Sequence, residues 1–372
     1  MKILIAPNTF KGSLDAFEVA RSLESGLAQG KLSVDLEICP IADGGDGTLP
    51  IAASYFSGDL ISVDTVDALG RPLVARYGWS ESSNTALIEL AEASGIRHLG
   101  KDELNPWKAS TYGTGLILKE VLRRSPKDVY LTIGGSASID GAVGLLEGVG
   151  VKFLDRYGKV LNGLNPSRIL EIDGVDIREV EEILKGVSMK ILCDVENPLL
   201  GSEGSAEVFA PQKGANQNDV LKLEDALTHL SDVIKKDFGL DIQKLKHGGA
   251  AGGVAAVLHG VLGADLIDGA NFILDVSGFR DKLNFADIVI TGEGKIDGQT
   301  LSGKGPGLVA VEAKKAGKRV IGFCGATELT DGSIEPFDEI VAINQSSESL
   351  EDSIKNTRKN LELAAIKLAG RL

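Results

Sequence analysis

The residues that could do chemistry are concentrated in five loops, each of which follows a run of apolar residues that predicts a strand. The loops are APNTFKGS (6–13), IADGGDGT (41–48), IGGSASIDGA (133–142), CDVENPLLG (193–201) and TGEGKIDGQTLSGKGPG (291–307). In open parallel sheets, loops at the carboxyl ends of the strands line the ligand crevice. Glycine there lets backbone N–H groups approach a phosphate closely. One such loop is more often an ordinary tight turn, but five together indicate a ligand site.

The last of these loops contains two nucleotide-binding motifs, each broken at one residue. Residues 298–304 read G-x-x-x-x-G-K, but Gly305 stands where a P-loop requires Ser or Thr. Gly292 and Gly294 begin a dinucleotide fingerprint, which Asp297 breaks because a glycine is needed there. The segment therefore predicts neither a P-loop nor a nicotinamide site, although strand, glycine loop and helix follow each other in the right order.

Asp43 and Asp46 flank two glycines in ADGGDG, so their carboxylates can converge on one point. Hard divalent cations such as Mg²⁺ prefer oxygen ligands of this kind. The alternative for Asp46 is a structural role, as the cap of a helix that begins near Gly47. The D-x-D-x-D-G spacing of a calcium loop is absent, so the loop is not of that type.

Two further side chains follow predicted strands directly. Lys11 can hold a carboxylate or a transferring phosphoryl group, although most lysines are simply solvated. Asp194 can accept a hydroxyl proton, or it can form the turn before Asn197. Of the four histidines only His247, beside GGAAGG, lies where chemistry is expected. The sequence contains no H-E-x-x-H and no G-x-S-x-G, which disfavours a zinc or serine hydrolase.

Strand-like and helix-like patterns alternate along most of the chain, which predicts an α/β fold. Residues 2–6 and 35–41 are predicted to be parallel strands, joined by a helix that Ser13 caps. Three shorter runs between residues 60 and 90 predict a meander, after which the alternation resumes.

The length of 372 residues favours about two domains. We expect the first and last strands to form one parallel sheet and the middle of the chain to form a second domain. The predicted boundaries are 1–75 plus 285–372 for a discontinuous α/β domain and 76–284 for the other.

Composition limits the partners of the chain. A net charge of −14 repels nucleic acid and anionic lipid, so neither is expected as a partner. The N-terminal apolar run is too short for a signal peptide and no segment is apolar enough to span a membrane, so a cytoplasmic location is expected. The three cysteines, Cys39, Cys193 and Cys324, lie in apolar runs and are predicted to be buried.

The chain resembles one known family across several unusual blocks. These are KILIAPNTFKGSLDAFEVA, PIADGGDGT, TYGTG, LTIGGSASIDGAVG, CDVENPL, APQKGA, HGGAAGG and DIVITGEGKIDGQTLSGKGP. Together, and in this order, they resemble the bacterial glycerate kinases of the type I family. The similarity extends from the first residues to about Gly325, and its specificity lies in the combination of blocks.

The resemblance implies ATP- and Mg²⁺-dependent phosphorylation of D-glycerate, with 2-phosphoglycerate favoured as the product and 3-phosphoglycerate as the alternative. It implies two α/β domains with parallel or mixed sheets flanked by helices, and an active site in the cleft between them. The expected partners are therefore D-glycerate and ATP. Whether the chain forms a homo-oligomer is left open.

Residue chemistry and the matching motifs together suggest roles for individual residues. Asp194 or Asp43 would accept the hydroxyl proton, and Lys11 would assist catalysis. The expected substrate-binding residues are Asn8, Lys11, Arg71 and Ser136. The expected nucleotide-binding residues are Gly134, Gly135, Gly248, Gly249, Gly252, Gly253, Lys295 and Lys304. The expected metal ligands are Asp46, Glu293 and Asp297.

Two other functions remain as alternatives. A glycerate dehydrogenase would need a nicotinamide site, but its fingerprint is broken at Asp297, and the acidic residue expected about 20 residues later falls near Lys314 and Lys315. A non-catalytic sensor of hydroxy acids would keep a carboxylate pocket without needing the acidic loops.

Overall fold

The computed structural model describes residues 1–30, 34–301, 305–329, 334–344 and 349–372. The described residues form two compact units, one comprising Met1–Asp43 and Ala270–Leu372 and the other Gly44–Gly269. Both units consist of a β-sheet with helices, so the predicted α/β architecture is confirmed.

The strands are β1 (Lys2–Ile5), β2 (Asp35–Ile38), β3 (Asp59–Val66), β4 (Pro72–Ser80), β5 (Thr85–Glu89), β6 (Asp128–Thr132), β7 (Lys152–Leu154), β8 (Val160–Leu161), β9 (Gly174–Asp176), β10 (Ser188–Cys193), β11 (Asp265–Asp268), β12 (Ile288–Ile296), β13 (Arg319–Thr327) and β14 (Glu339–Ala342). The α-helices are α1 (Ala16–Ala28), α2 (Thr48–Tyr55), α3 (Ala91–Ser94), α4 (Tyr112–Leu122), α5 (Val143–Val149), α6 (Arg178–Leu184), α7 (Ser205–Phe209), α8 (Gln217–Phe238), α9 (Ala250–Leu262), α10 (Gly269–Val276), α11 (Phe279–Phe285), α12 (Gly298–Leu301), α13 (Pro306–Lys315) and α14 (Leu350–Ala369). Short 3-10 helices lie at Ile96–His98, Lys101–Glu103, Pro166–Glu171 and Pro211–Lys213.

The first unit contains a five-stranded sheet in the order β14-β13-β12-β1-β2, and all of its strand pairs are parallel. The prediction that the first and last strands share one parallel sheet is therefore confirmed. Its apolar strand residues, among them Ile5, Ile290 and Phe323, are fully buried, as expected for a parallel sheet covered on both faces. All three cysteines of the chain are buried, as predicted.

Two local predictions in this unit were wrong. Helix α1 is capped by Asp15 rather than Ser13, because Asp15 and Glu18 form a capping box in which each side chain accepts from the other's backbone N–H. Strand β12 continues through the segment predicted to be a glycine loop, since Gly292 to Ile296 still lie alongside β13.

The second unit contains a six-stranded mixed sheet in the order β11-β10-β6-β5-β4-β3 and a small antiparallel sheet of β7, β8 and β9. The meander predicted between residues 60 and 90 is the antiparallel run β3-β4-β5, and β5, β6, β10 and β11 are parallel. Because β3 pairs with β4 along its whole length, residues 44–75 belong to this unit, in contrast to the predicted boundary at residue 75. Residues 270–284, which were predicted to belong to the second domain, belong to the first unit.

The five-stranded and six-stranded sheets both contain parallel strands. Predicted functional segments follow the carboxyl ends of these strands. Strands β1 and β12 lead to residues 6–13 and 297–301 in the first unit. Strands β6 and β10 lead to residues 133–142 and 194–201 in the second. None of the helices found among the described residues has the length and apolar character needed to span a membrane.

The packing of α1 against α14 predicts the effect of one substitution. A Cβ added at Gly26 would lie 2.5 Å from the Glu362 backbone O and 2.6 Å from the Ala365 Cβ. Alanine normally stabilises a helix interior over glycine by about 1 kcal/mol. We expect Gly26→Ala instead to lower the free energy of unfolding by about 1–3 kcal/mol, because overpacking dominates.

Urea unfolding followed by circular dichroism measures this difference. Ser25→Ala, at an exposed position of the same helix, is the matched control and should change the free energy of unfolding by less than about 0.5 kcal/mol. A Gly26→Ala protein as stable as the wild type would show that the two helices separate easily.

Candidate active site

Asn8 joins three predicted segments of the first unit. Its backbone N–H donates to the Gly292 O at 2.8 Å, which extends the β1–β12 pairing beyond the end of β1. Its side-chain Nδ2 donates to Asp43 Oδ2 at 3.4 Å, and its Oδ1 accepts from the Thr9 N–H at 2.7 Å. Asn8 is buried, so these contacts fix its orientation and that of the Asp43 carboxylate.

Glu293 is the centre of an acidic cluster in this unit. Its Oε1 accepts a hydrogen bond from Thr300 Oγ1 at 2.7 Å. Burial and the nearby Asp43 and Asp297 carboxylates raise the pKa of Glu293 to about 7, against the lowering effect of Thr300 and Lys11. The structure thus brings together Lys11, Asp43, Glu293 and Asp297, four residues that the sequence identified in three separate loops.

The broken P-loop motif has a steric explanation. Gly305 has a φ of +46°, a backbone conformation that residues with a side chain rarely adopt. A Cβ at this position would also lie 3.1 Å from Asn8 Nδ2 and 3.8 Å from Asp43 Oδ2. Serine or threonine at position 305 would therefore disturb the Asn8–Asp43 pair. Glycine at position 305 therefore leaves room for this pair.

The two lysines predicted to face phosphate have different outcomes. Lys295 Nζ lies 2.8 Å from Glu328 Oε1 and 3.5 Å from Asp297 Oδ2, so its charge is balanced by two carboxylates. Lys304 lies outside the described residues.

In the second unit, two glycine loops touch through their backbones. The Gly134 N–H points to the Gly44 O at 3.4 Å, and a Cβ at Gly134 would lie only 2.4 Å from the Gly45 Cα. Gly135 has a φ of +73°, and a Cβ there would lie 3.3 Å from the Asp46 Cβ. Glycine is required at both positions, and the contact places Asp46 beside the loop of residues 133–142.

Arg97, which the sequence analysis did not select, connects Asp46 to two more carboxylates. Its guanidinium forms ion pairs with Asp46, with Glu89 Oε1 at 3.3 Å and with Glu92 Oε1 at 2.7 Å. Glu92 also pairs with Arg76. Arg97 remains about one-third exposed, so part of its guanidinium is accessible from solvent.

Glu89, the last residue of β5, was also missed. Its carboxylate accepts the backbone N–H groups of Gly47 at 3.0 Å and Leu49 at 2.8 Å, at the start of α2. The alternative considered for Asp46, that it caps this helix, is therefore wrong, because Glu89 takes that role. The signal in the sequence was a glutamate at the end of the mostly apolar strand TALIE, where a buried charge needs a partner.

Burial raises the pKa of Glu89 to about 7, against the lowering effect of the two N–H groups and of Arg97. The side chain is 1% exposed. A buried carboxylate that accepts two N–H groups at the start of a helix is typical of a supporting group rather than of one that contacts a ligand.

The segment containing Asp194 packs against the GGAAGG segment. The His247 ring Nδ1 lies 2.7 Å from the Val195 O, and the Gly249 N–H donates to the Asn197 O at 2.9 Å. The Gly248 N–H donates to the Leu245 O at 2.9 Å. The N–H groups of Gly248 and Gly249 therefore hold the turn together and are already engaged by carbonyls of the chain.

Gly252 and Gly253 reach the loop of residues 133–142. The Gly141 N–H donates to the Gly252 O at 2.9 Å, and a Cβ at Gly252 would lie 2.4 Å from the Ser138 O. Both glycines have positive φ, of +76° and +89°. The two segments predicted to bind nucleotide thus meet by backbone contact within the second unit.

Ser136 and Arg71, the remaining predicted substrate ligands, both have partners in the chain. Ser136 is buried, and its Oγ accepts a hydrogen bond from Lys213 Nζ at 2.7 Å. Arg71 lies in the turn between β3 and β4, where its guanidinium contacts Asp67 Oδ2 and Glu103 Oε1, each at 2.5 Å. Arg71 therefore supports that turn.

The fold is α/β, and most of the candidate ligand-binding residues lie in segments that follow the carboxyl ends of parallel strands. The model of the Glycerate kinase family matches residues 3–372, so the chain belongs to the glycerate kinase family. The resemblance found in the sequence is thereby confirmed. Membership of a kinase family implies a nucleotide phosphate donor.

Relatives with this name are similar over nearly the whole chain. A glycerate kinase of Halalkalibacterium halodurans is 37% identical over 87% of this chain and 85% of its own length. A glycerate 2-kinase of Escherichia coli is 33% identical over 100% of this chain and 98% of its own. A crystal structure from Salmonella typhimurium, assigned as glycerate kinase 2, has a TM-score of 0.86 at 35% identity and covers 99% of this chain and 97% of that one.

The raised pKa of Glu89 predicts a specific pH dependence of stability. Between pH of about 4.5 and 7 the folded protein keeps the Glu89 proton that the unfolded chain has lost. The contribution of this group to the free energy of unfolding is therefore complete below pH 4.5 and is lost as the pH rises towards 7.

Glu89→Gln cannot ionise and lacks this contribution. We expect the free energy of unfolding of the wild type, relative to Glu89→Gln, to fall as the pH rises from 4.5 to 7 and to level off above 7. Urea unfolding at several pH values measures the difference. A difference that rises with pH over this window would show that Glu89 is ionised throughout.

Proposed function

We propose that this chain transfers the γ-phosphate of ATP to D-glycerate in a Mg²⁺-dependent reaction that forms 2-phosphoglycerate. Family membership supports the glycerate kinase reaction, and the name of the Escherichia coli relative supports the 2-phosphate product. The observation that carries the proposal is the convergence of Lys11, Asp43 and Glu293, with Asp297 nearby, in one cluster. Kinase family membership favours phosphoryl transfer over the dehydrogenase and sensor alternatives.

Phosphoryl transfer requires mainly positioning of the two reactants and neutralisation of charge on the transferred group. Lys11 is exposed and lies in the field of the acidic cluster, so it supplies a positive charge for the carboxylate of D-glycerate or for the transferring phosphate. Asn8 holds Asp43 from one side and thereby limits its rotation.

A carboxylate has to accept the proton of the attacking hydroxyl. Asp43 and Asp194 are the two candidates. Asp194 directly follows β10 in the second unit, and Asp43 lies in the segment after β2 in the first. Asp43 has an orienting hydrogen bond from a buried amide, as expected for a catalytic base. Asp194 lies in the segment that packs on His247.

The residues present fit a magnesium ion. Mg²⁺ is usually held by one or two carboxylates together with water and substrate phosphates. Glu293 and Asp297 supply such carboxylates. The pKa of Glu293 is raised first by burial and then by the neighbouring Asp43 and Asp297 carboxylates, against the lowering effect of Thr300, and a cation would relieve this repulsion. Glu293 and Asp297 would hold the ion, directly or through water. When bound, it would neutralise charge on the transferring phosphate.

The two remaining proposed roles are revised by the contacts. Asp46 is engaged by Arg97, so its part in metal binding requires that this ion pair opens or is shared. Within the described residues, no group of three or more His, Cys, Asp or Glu side chains is arranged to hold a metal. For nucleotide phosphates, the segments around Gly135 and Gly252 are better placed than Gly248 and Gly249, whose N–H groups already have acceptors.

The proposed reaction can be tested by phosphorus NMR. With D-glycerate, ATP and Mg²⁺, we expect the ATP signals to decline, ADP signals to appear and one new monoester signal to match authentic 2-phosphoglycerate. Excess EDTA should stop the reaction, because charge neutralisation on the phosphate is lost. A signal matching 3-phosphoglycerate would overturn the product assignment, and unchanged ATP would overturn the activity.

The proposed base can be identified by two amide substitutions. We expect Asp43→Asn or Asp194→Asn to lower kcat by about 10²–10⁴-fold, because the amide cannot accept the hydroxyl proton. A coupled assay of ADP release measures the rates. Asp35→Asn and Asp265→Asn, at exposed positions in the same two units, are the matched controls and should retain kcat within about twofold. Near wild-type rates in both test variants would exclude both carboxylates as the base.

A further inference from the structure

A buried lysine lies beneath the loop of residues 133–142. Lys213 ends the 3-10 helix Pro211–Lys213 and is only 3% exposed. Its Nζ donates to Ser136 Oγ and to the Ser138 O, both at 2.7 Å. Lysine is almost never fully buried without partners. Here both acceptors of the amine, Ser136 Oγ and the Ser138 O, belong to this loop.

The charged group that faces Lys213 is Asp140, from the same loop. Asp140 is fully buried and accepts from the Thr111 N–H at 2.8 Å, Thr111 Oγ1 at 2.7 Å and Ser138 Oγ at 3.0 Å. Burial lowers the pKa of Lys213 to about 7, and the Asp140 charge opposes this. Two buried groups thus stabilise the loop. The Lys213 amine donates to it, and the Asp140 carboxylate accepts from Ser138 within it.

The same loop supports the segment that carries Arg97. The Gly135 O accepts the Ile96 N–H at 2.8 Å, and the Ala137 N–H donates to the Ser94 O at 2.9 Å. These two bonds flank Ser136, the residue that Lys213 contacts. A continuous set of hydrogen bonds therefore runs from Lys213 through the loop to the residues next to Arg97.

We infer that Lys213 is a positioning residue: it fixes Ser136 and the backbone at Ser138 and, through them, the Gly134–Gly135 segment and Arg97. This inference rests on the proposed function, in which that loop receives the substrates. Lys213 itself contacts neither substrate, because the loop covers it.

A purely structural role would not require an amine at this position. Burying a charged or polar group costs free energy, and an apolar side chain of similar volume is often equally stable in such a place. What methionine cannot supply is the pair of hydrogen bonds that sets the loop conformation. Misplacement of reacting groups by about 1 Å costs about 100-fold in rate.

The test compares Lys213→Met, Ser136→Ala, the double variant and a control. We expect Lys213→Met to raise the KM for ATP or D-glycerate by about 10-fold or more and to lower kcat/KM by about 10- to 100-fold. KM does not depend on the amount of folded enzyme, so a change in KM separates positioning from simple loss of folded protein. Ser136→Ala should reproduce part of the effect, and the two substitutions should be non-additive because they remove the same contact.

Lys190→Met is the matched control. Lys190 is a half-buried lysine of β10 whose Nζ pairs with Asp128 Oδ1 at 2.8 Å, away from the loop. We expect this variant to lose stability without a change in either KM. Unchanged KM values in Lys213→Met, or full additivity with Ser136→Ala, would overturn the inference. If Lys213→Met does not fold, Ser136→Ala takes its place as the test. Wild-type KM values for both substrates in Ser136→Ala would then overturn the inference.

Calorimetric titration with MgATP separates this inference from the proposed function. A wild type that binds MgATP but forms no phosphoglycerate contradicts the proposed function, and weaker MgATP binding by Lys213→Met then still supports the positioning role. If there is no turnover and the wild type and Lys213→Met bind MgATP with equal affinity, the positioning role of Lys213 is contradicted.

Discussion

The second unit depends on the compensation of one buried carboxylate. Glu89 ends a central strand with 1% of its surface exposed, where an isolated charge would cost several kcal/mol. Two backbone N–H groups at the start of α2 and the Arg97 guanidinium offset part of this cost. Because Arg97 also holds Asp46 and Glu92, the strand end, the ADGGDG loop and the 3-10 helix Ile96–His98 are fixed relative to one another.

The fold was largely predictable because its signals are local. The parallel strands were identified as apolar runs followed by glycines. The alternation of strands and helices indicated the α/β class. The errors came from contacts that compete with local signals. Ser13 resembles a helix cap, but the reciprocal Asp15–Glu18 pair offers two hydrogen bonds instead of one. The segment from Gly292 looked like a loop, yet pairing with β13 keeps it extended.

One rule predicted part of the candidate site: polar residues that follow the carboxyl ends of parallel strands lie close together. Lys11, Asp43 and Asp297, which come after β1, β2 and β12, follow this rule, and Glu293 joins them from within β12. Arg97 and Lys213 do not, because their partners lie far away in the sequence: Asp46 is 51 residues from Arg97, and Ser136 is 77 residues from Lys213. In a sequence, a buried lysine cannot be distinguished from the solvated lysines that outnumber it, and only the packing shows the difference.

Charge balance bears on how an acidic protein would bind the two anionic substrates of the proposed reaction. In the first unit, Lys11 and Lys295 face the carboxylates of Asp43, Glu293, Asp297 and Glu328, so negative charge is in excess before any phosphate enters. Burial and this excess together raise the pKa of Glu293. An anion entering the cluster alone would add to the repulsion, whereas an anion accompanied by a divalent cation would relieve it. In the proposed reaction, the acidic cluster would therefore favour a metal-bound phosphate over a free one.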